Sequence, residues 1–277
     1  MNINWFPGHM TRALRKMEAS LSSVDFVVYI VDGRAPWSCQ NPAFDNLFIG
    51  MPVLYVLNKY DLCDTEKCKQ WLSDKNKPNI ATYKSNSLKN NLLKDVSQLI
   101  NQICKAKIDK YKNKGINISL KGIVVGVPNV GKSTFINSLA RSKKTKVGDM
   151  PGVTRGQQTI KISEYLDLLD TPGTLYPKLN DQEVAINLAL IGSIRDQVLD
   201  SVELSHCLID RLQTINKNIL QNLYEVTSDM DSAEILNKVA QMRAFLLKGG
   251  ILDIDRASLA LIDDFRKGKL GKITLDI

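Results

Sequence analysis

The 277-residue chain is 44% hydrophobic with a net charge of +8, so it can bury a core and is not a disordered polyelectrolyte. Its longest apolar runs, FVVYIV and GIVVGV, are strand-sized and far short of the ~20 residues of a membrane helix. The opening MNINWFPGHMTRALRK has no apolar stretch resembling a secretory signal, so no membrane span and a cytoplasmic or organelle-matrix setting are expected. Five scattered cysteines and two histidines fit no common zinc or redox pattern and point to free thiols.

In chain order, WFPGH suggests a turn and MTRALRKMEASLSS a basic amphipathic helix. DFVVYIVDGR and PVLYVLNKYD are apolar, β-branched runs with strand character, and NIATYKSNS is a weaker third. LLKDVSQLINQICKAKIDKYKNK has helical spacing and ends at Gly115. LKGIVVGVPNVGKSTFINSLARS follows as strand, loop and helix, and TIKISEYLDLLDTPG as one or two strands. Alternating strands and helices predict an α/β layer fold with a mostly parallel sheet. After Pro177 the β-branched runs stop and four segments repeat apolar residues at helical spacing. Residues 1–177 are therefore expected to form an α/β domain with an N-terminal basic helix, and residues 178–277 an all-α domain. The first part holds 25 Lys/Arg against 14 Asp/Glu and the second 12 against 15. The positive excess thus belongs to the first part, where solvated helix faces and a polyanion-binding surface are both consistent with it.

GVPNVGKS, Gly126 to Ser133, fits the phosphate-loop pattern between a strand and a helix. Glycines let successive N–H groups turn inward onto phosphate oxygens, and the helix N-terminus adds its partial charge. Lys132 is expected on the β- and γ-phosphates, the Ser133 hydroxyl on magnesium and the Thr134 backbone on the α-phosphate, with Val130 and Gly131 completing the cradle. Asp170, in DTPG, is placed to hold magnesium through water, and the Gly173 N–H to meet the γ-phosphate. Thr154, in PGVTRG, is placed to close over magnesium.

NKYD, Asn58 to Asp61, offers a carboxylate to the two adjacent N–H donors of guanine. Adenine lacks that pair, so an ATP complex would leave the charge unmatched. Asn58 is expected to brace the loop, the Lys59 stem to lie over the base beside Tyr60, and Asn86 and Ser87 to supply a backbone N–H to the guanine O6. An Asx-type turn is the plainer explanation of NKYD taken alone. The guanine-reading element precedes the phosphate loop here. A circular permutation accounts for this order: the sheet is kept and the chain ends are moved.

With WFPGHM, VDGRAPWSCQNP, NKYDL, GVPNVGKST, PGVTRG, DTPG and DRASLALIDDFRKGKLGKITL, the chain resembles the YlqF/RbgA family of circularly permuted GTPases along nearly its whole length. The resemblance implies a circularly permuted P-loop GTPase domain followed by a helical domain. It also implies GTP hydrolysis stimulated by the ribosome, and binding to the large-subunit precursor and its rRNA. Thr174 stands where the family carries a hydrophobic residue. From the FPGH match His9 is the expected catalytic group, a neutral imidazole able to orient water, with capping or packing of the first helix as its plainer role. Asn129 matches the asparagine of potassium-activated GTPases, where a monovalent cation offsets charge in the transition state. The basic edge Arg256, Arg266, Lys267, Lys269 and Lys272, together with Arg12, Arg15 and Lys16, is expected on rRNA phosphates, and the protein is expected to be a monomer. The short passage from Gly173 to the helical region suggests that the γ-phosphate switch re-aims the helices. A nucleotide-gated RNA-binding module with negligible turnover and a GTPase of tRNA modification are the alternatives. The latter lacks any visible appended catalytic cysteine or cofactor domain.

Overall fold

Six apolar residues in a row, Phe26 to Val31, satisfy a strand only if both of its faces are covered. In the computed structural model they do so in β1 (Phe26–Asp32), every residue of which is buried. The structure describes residues 3, 8–75, 77–86, 92–141, 158–175, 181–227 and 229–276. β1 pairs in parallel with β2 (Val53–Asn58) and with β4 (Leu120–Val125); β2 pairs in parallel with β3 (Ile80–Lys84). β4 pairs in parallel with β6 (Leu166–Asp170), and β5 (Gln158–Ser163) closes the far edge antiparallel to β6. The order across the sheet is β3-β2-β1-β4-β6-β5. The chain thus enters at the middle, builds outward to β3, returns to the centre at β4 and builds the other half. The winding direction reverses between β1 and β4, the kind of crevice where open α/β sheets bind ligands.

Helices cover the sheet. In α1 (Gly8–Leu21) Met10, Leu14 and Met17 are buried on one face and Arg12, Arg15 and Lys16 are exposed on the other. α2 (Pro42–Leu47) and α3 (Thr65–Ser73) help enclose an aromatic cluster of Tyr29, Phe44, Phe48, Tyr55 and Trp71. The expected single helix before Gly115 is two, α4 (Leu92–Ile103) and α5 (Lys105–Lys112), parted at Cys104. α6 (Lys132–Arg141) follows the phosphate loop.

From Asp181 onward the described residues form α7 (Gln182–Leu190), a short 3-10 turn (Asp196–Val198), α8 (Ser201–Asn216), α9 (Asn218–Tyr224), α10 (Ser232–Met242) and α11 (Ile254–Arg266). Asp64, Asp181, Asp200, Asp231 and Asp253 accept backbone N–H groups at the starts of α3, α7, α8, α10 and α11, satisfying donors that a helix cannot pair internally. α8 packs against α7, α9, α10 and α11. No helix among the described residues is long and apolar enough to cross a membrane.

The tail after α11 leaves the helices and lies along the α/β part. Ile273 and Leu275 donate their N–H groups to Leu62 and Arg34 carbonyls at 3.0 and 2.7 Å. The Asp276 carboxylate caps the turn at Trp37 and Ser38 and also takes the Asn187 amide at 3.1 Å. The expected boundary at 177/178 lies outside the described residues. The division it marks is bridged by this tail and by Arg34, whose guanidinium donates to the Arg266 and Ile191 carbonyls at 3.0 and 3.3 Å. The five cysteines are free thiols, four of them buried.

Arg34 is 2% exposed and is neutralised by Asp32, with an N–O distance of 2.7 Å. Burial pushes the Asp32 carboxyl up, but Arg34 and Lys59 outweigh it and hold the group well below the usual carboxylate range. Asp32→Asn would leave the buried guanidinium uncompensated, and a loss of about 3–5 kcal/mol in denaturant-unfolding stability is expected at neutral pH. Because the folded-state pKa is depressed, wild-type Asp32 stabilises fully above the unfolded value of about 4 and progressively less below it. The gap between wild type and variant should therefore be constant above that pH and narrow in stronger acid.

Candidate nucleotide-binding site

The loops proposed to carry the chemistry leave the sheet at the carboxyl ends of β1, β2, β3, β4 and β6. The phosphate loop runs from β4 into α6. Lys132 is buried, and its Nζ donates to the Val127 and Gly126 carbonyls at 2.9 and 3.2 Å. Burial pushes this ammonium down to about 8, against the opposing pull of the Asp170 carboxylate. An ammonium held in a desolvated loop is a strong partner for phosphate oxygens.

Ser133 Oγ donates to Asp170 Oδ2 at 3.1 Å. The two meet from the first turn of α6 and the end of β6 as hard oxygen donors, the ligand type magnesium takes alongside substrate phosphates. Among the described residues no three His, Cys, Asp or Glu cluster into a metal cage. The DTPG loop is tied to β4 by Thr171 Oγ1, which donates to the Val124 carbonyl at 2.6 Å. Gly173 sits so close to the phosphate loop that a Cβ there would stand 2.6 Å from Pro128 Cα and 2.8 Å from Lys132 Nζ, so only glycine brings this backbone up to the lysine. Thr134 is exposed on the first turn of α6.

The element proposed to read the base meets the phosphate loop directly. Asn58 is 3% exposed, and its Nδ2 donates to the Val130 carbonyl at 2.8 Å. Lys59, at φ 54°, lies between the two loops: its Nζ is 2.8 Å from Asp32 Oδ2 and 3.4 Å from the Asn129 carbonyl. Tyr60 donates its N–H to the Ser85 carbonyl at 3.1 Å, and Ser85 donates to Leu57 at 2.9 Å, which sets Asn86 beside the NKYD turn. The Asp61 carboxylate is exposed on that turn. Asn129, at φ 60°, donates its side-chain amide to the Gly192 carbonyl at 2.7 Å. Ser87 and Thr154 lie outside the described residues, as does the side chain of His9, whose backbone opens α1.

Of the residues expected on a polyanion, Arg12, Arg15, Lys16 and Lys272 are exposed, and exposed Arg256 lies over the Phe245 ring at 4.3 Å. Lys267 and Lys269 are exposed but paired with Asp263 and Asp264 at 2.7 and 2.9 Å. Arg266 departs from the expected outward face. It donates to the Leu190 and Ala189 carbonyls at 2.9 and 2.8 Å and holds Asp196 at 2.8 Å, because the end of α7 has carbonyls without helical partners.

Asp32 and Arg34 were not singled out from the sequence as site residues, yet Asp32 aligns with Asn58 across the β1–β2 pair and fixes the Lys59 ammonium. A charged residue closing a run of six apolar ones is the signal that marks Asp32. Gly192 and Ser193, which also touch the phosphate loop, have no comparable signal.

Residues 121–238 match a family model described as 50S ribosome-binding GTPase. The chain is 37% identical over 283 residues to ribosome biogenesis GTPase A of Bacillus cereus, covering 100% of this chain and 94% of the relative. It is 34% identical over 298 residues to mitochondrial ribosome-associated GTPase 1 of Mus musculus, covering 98% and 89%. Its fold matches GNP-bound YlqF from T. maritima with a TM-score of 0.65 at 24% identity, over 96% of this chain and 97% of that one. On these relationships, the chain belongs to the ribosome biogenesis GTPase A family of circularly permuted GTPases.

Proposed function

We propose that the protein is a GTPase that binds the assembling large ribosomal subunit and hydrolyses GTP to GDP and phosphate as a late assembly switch. The observation that carries this reading is the Asn58–Val130 hydrogen bond, which joins the loops proposed to read the base and to hold the phosphates. Asp61 accepts the two guanine N–H donors, Lys59 covers the base, and Asn86 with Ser87 meets its O6. Lys132 trades its loop carbonyls for the β- and γ-phosphates. Ser133 and Asp170, with Thr154, would hold magnesium, which when bound would offset phosphate charge. Asn129 would hold a potassium ion that would add to that charge compensation. Gly173 donates its N–H to the γ-phosphate, and His9 orients the attacking water. These roles follow P-loop chemistry and the family motifs.

The helical region from residue 178 onward serves as the particle-binding unit, aided by the outer face of α1. The protein acts as a monomer in a cytoplasm or organelle matrix. Phosphate release should rise on adding large ribosomal subunits and potassium; a rate insensitive to both would overturn the switch. Two hydrogen bonds to a carboxylate are worth enough that Asp61→Ala should weaken GTP binding by about 100-fold or more in equilibrium titration, leaving ATP binding as weak as before. On the α1 face, Arg15→Glu with Lys16→Glu should lower particle affinity and flatten its dependence on salt, measured by sedimentation across a salt series. An unchanged salt slope would remove α1 from the RNA contact.

A further inference from the structure

We propose that the turn closing α7, Gly192–Ser193, is a working part of the nucleotide site: it positions the phosphate loop from outside, and through it that loop and the C-terminal helices sense one another. The proposal rests on the GTP-binding reading of the pocket.

Ser193 is 2% exposed, and its hydroxyl donates to the Pro128 carbonyl at 2.8 Å; the neighbouring Gly192 carbonyl accepts the Asn129 amide at 2.7 Å. Both partners lie in the middle of the phosphate loop. In a trans peptide the C=O and the following N–H point in opposite directions. Holding the Pro128 carbonyl toward Ser193 therefore aims the Asn129 N–H away from the turn. The Asn58 amide does the same to the Gly131 N–H by holding the Val130 carbonyl at 2.8 Å. A phosphate cradle depends on such N–H groups being fixed before the anion arrives. One of these two clamps comes from the base-reading half and the other from the helical region.

The turn is itself rigidly made. Gly192 has φ +81°, the Ser193 N–H reaches the Leu188 carbonyl at 2.8 Å and the Gly192 N–H the Ala189 carbonyl at 3.0 Å, the paired bonds of a glycine-ended helix. Arg266 from α11 holds the Ala189 and Leu190 carbonyls, and Arg34 holds that of Ile191 at 3.3 Å. Successive carbonyls of the α7 terminus are thus assigned to α11, to the β1 loop and to the phosphate loop. A displacement of Pro128–Asn129 on phosphate binding has a direct path into α7 and α11, apart from the passage after Gly173.

The test is Ser193→Ala in the full-length protein, which deletes the donor and little volume. GTP and GDP affinities should fall about 3- to 10-fold, the worth of one neutral hydrogen bond, with the nucleotide-free melting temperature near that of wild type. Amide hydrogen exchange at residues 187–193 should slow on adding GTP to wild type and respond less in the variant. Equal affinities in the two proteins, or a loss matched by a fall in nucleotide-free stability with the exchange response kept, would overturn the proposal and make Ser193 a structural brace. Failure of wild type to bind GTP would instead overturn the GTP-binding reading, and the proposal with it.

Discussion

The described loops proposed to hold the nucleotide all leave the sheet at the carboxyl ends of parallel strands, on either side of the reversal between β1 and β4. That constraint brings NKYD, Ser85–Asn86, the phosphate loop and DTPG to one edge although they are spread over more than one hundred residues. The Asn58 amide crosses the reversal and joins the two halves at 2.8 Å. Asp32 supports the crossing from below. It anchors Lys59 on the base side and neutralises Arg34, which reaches the C-terminal helices.

Circular permutation changes which parts of the chain can lean on this edge. The chain goes on from the DTPG loop into helices, and α7 ends against the phosphate loop. The C-terminal tail then returns to the first half, where Thr274 donates to the Gly33 carbonyl at 3.0 Å and Asp276 caps the Trp37–Ser38 turn. The helical region is consequently built into the surroundings of the site. A GTPase proposed to report its nucleotide state to a large particle would gain from such contacts, because hydrogen bonds join the phosphate loop to the helices.

The central strands were legible because a parallel strand covered on both faces must be a continuous apolar run, as FVVYIV and VLYVL are. The phosphate-loop motif and NKYD stand out because the chemistry they are proposed to serve dictates residue types at short spacing, and they lie between β4 and α6 and after β2. The break at Cys104, the inward turn of Arg266 and the path of the tail were not. Each is decided by partners far along the chain: Arg266 faces in because Ala189 and Leu190 need donors, and Ser193 meets a loop 65 residues earlier. Local periodicity holds no record of such pairings. Asp32 lies between these cases, since its place at a strand end is visible while its two cationic partners are not.

The central claim is that these loops form one pocket for a guanine nucleotide. A crystal structure with magnesium and a non-hydrolysable GTP analogue measures this most directly. It should show the base's two N–H donors on the Asp61 carboxylate, with Lys132 Nζ turned from the Gly126 and Val127 carbonyls to the phosphates. A nucleotide seated with its base away from Asp61, or with its phosphates outside the Gly126–Ser133 loop, would contradict it.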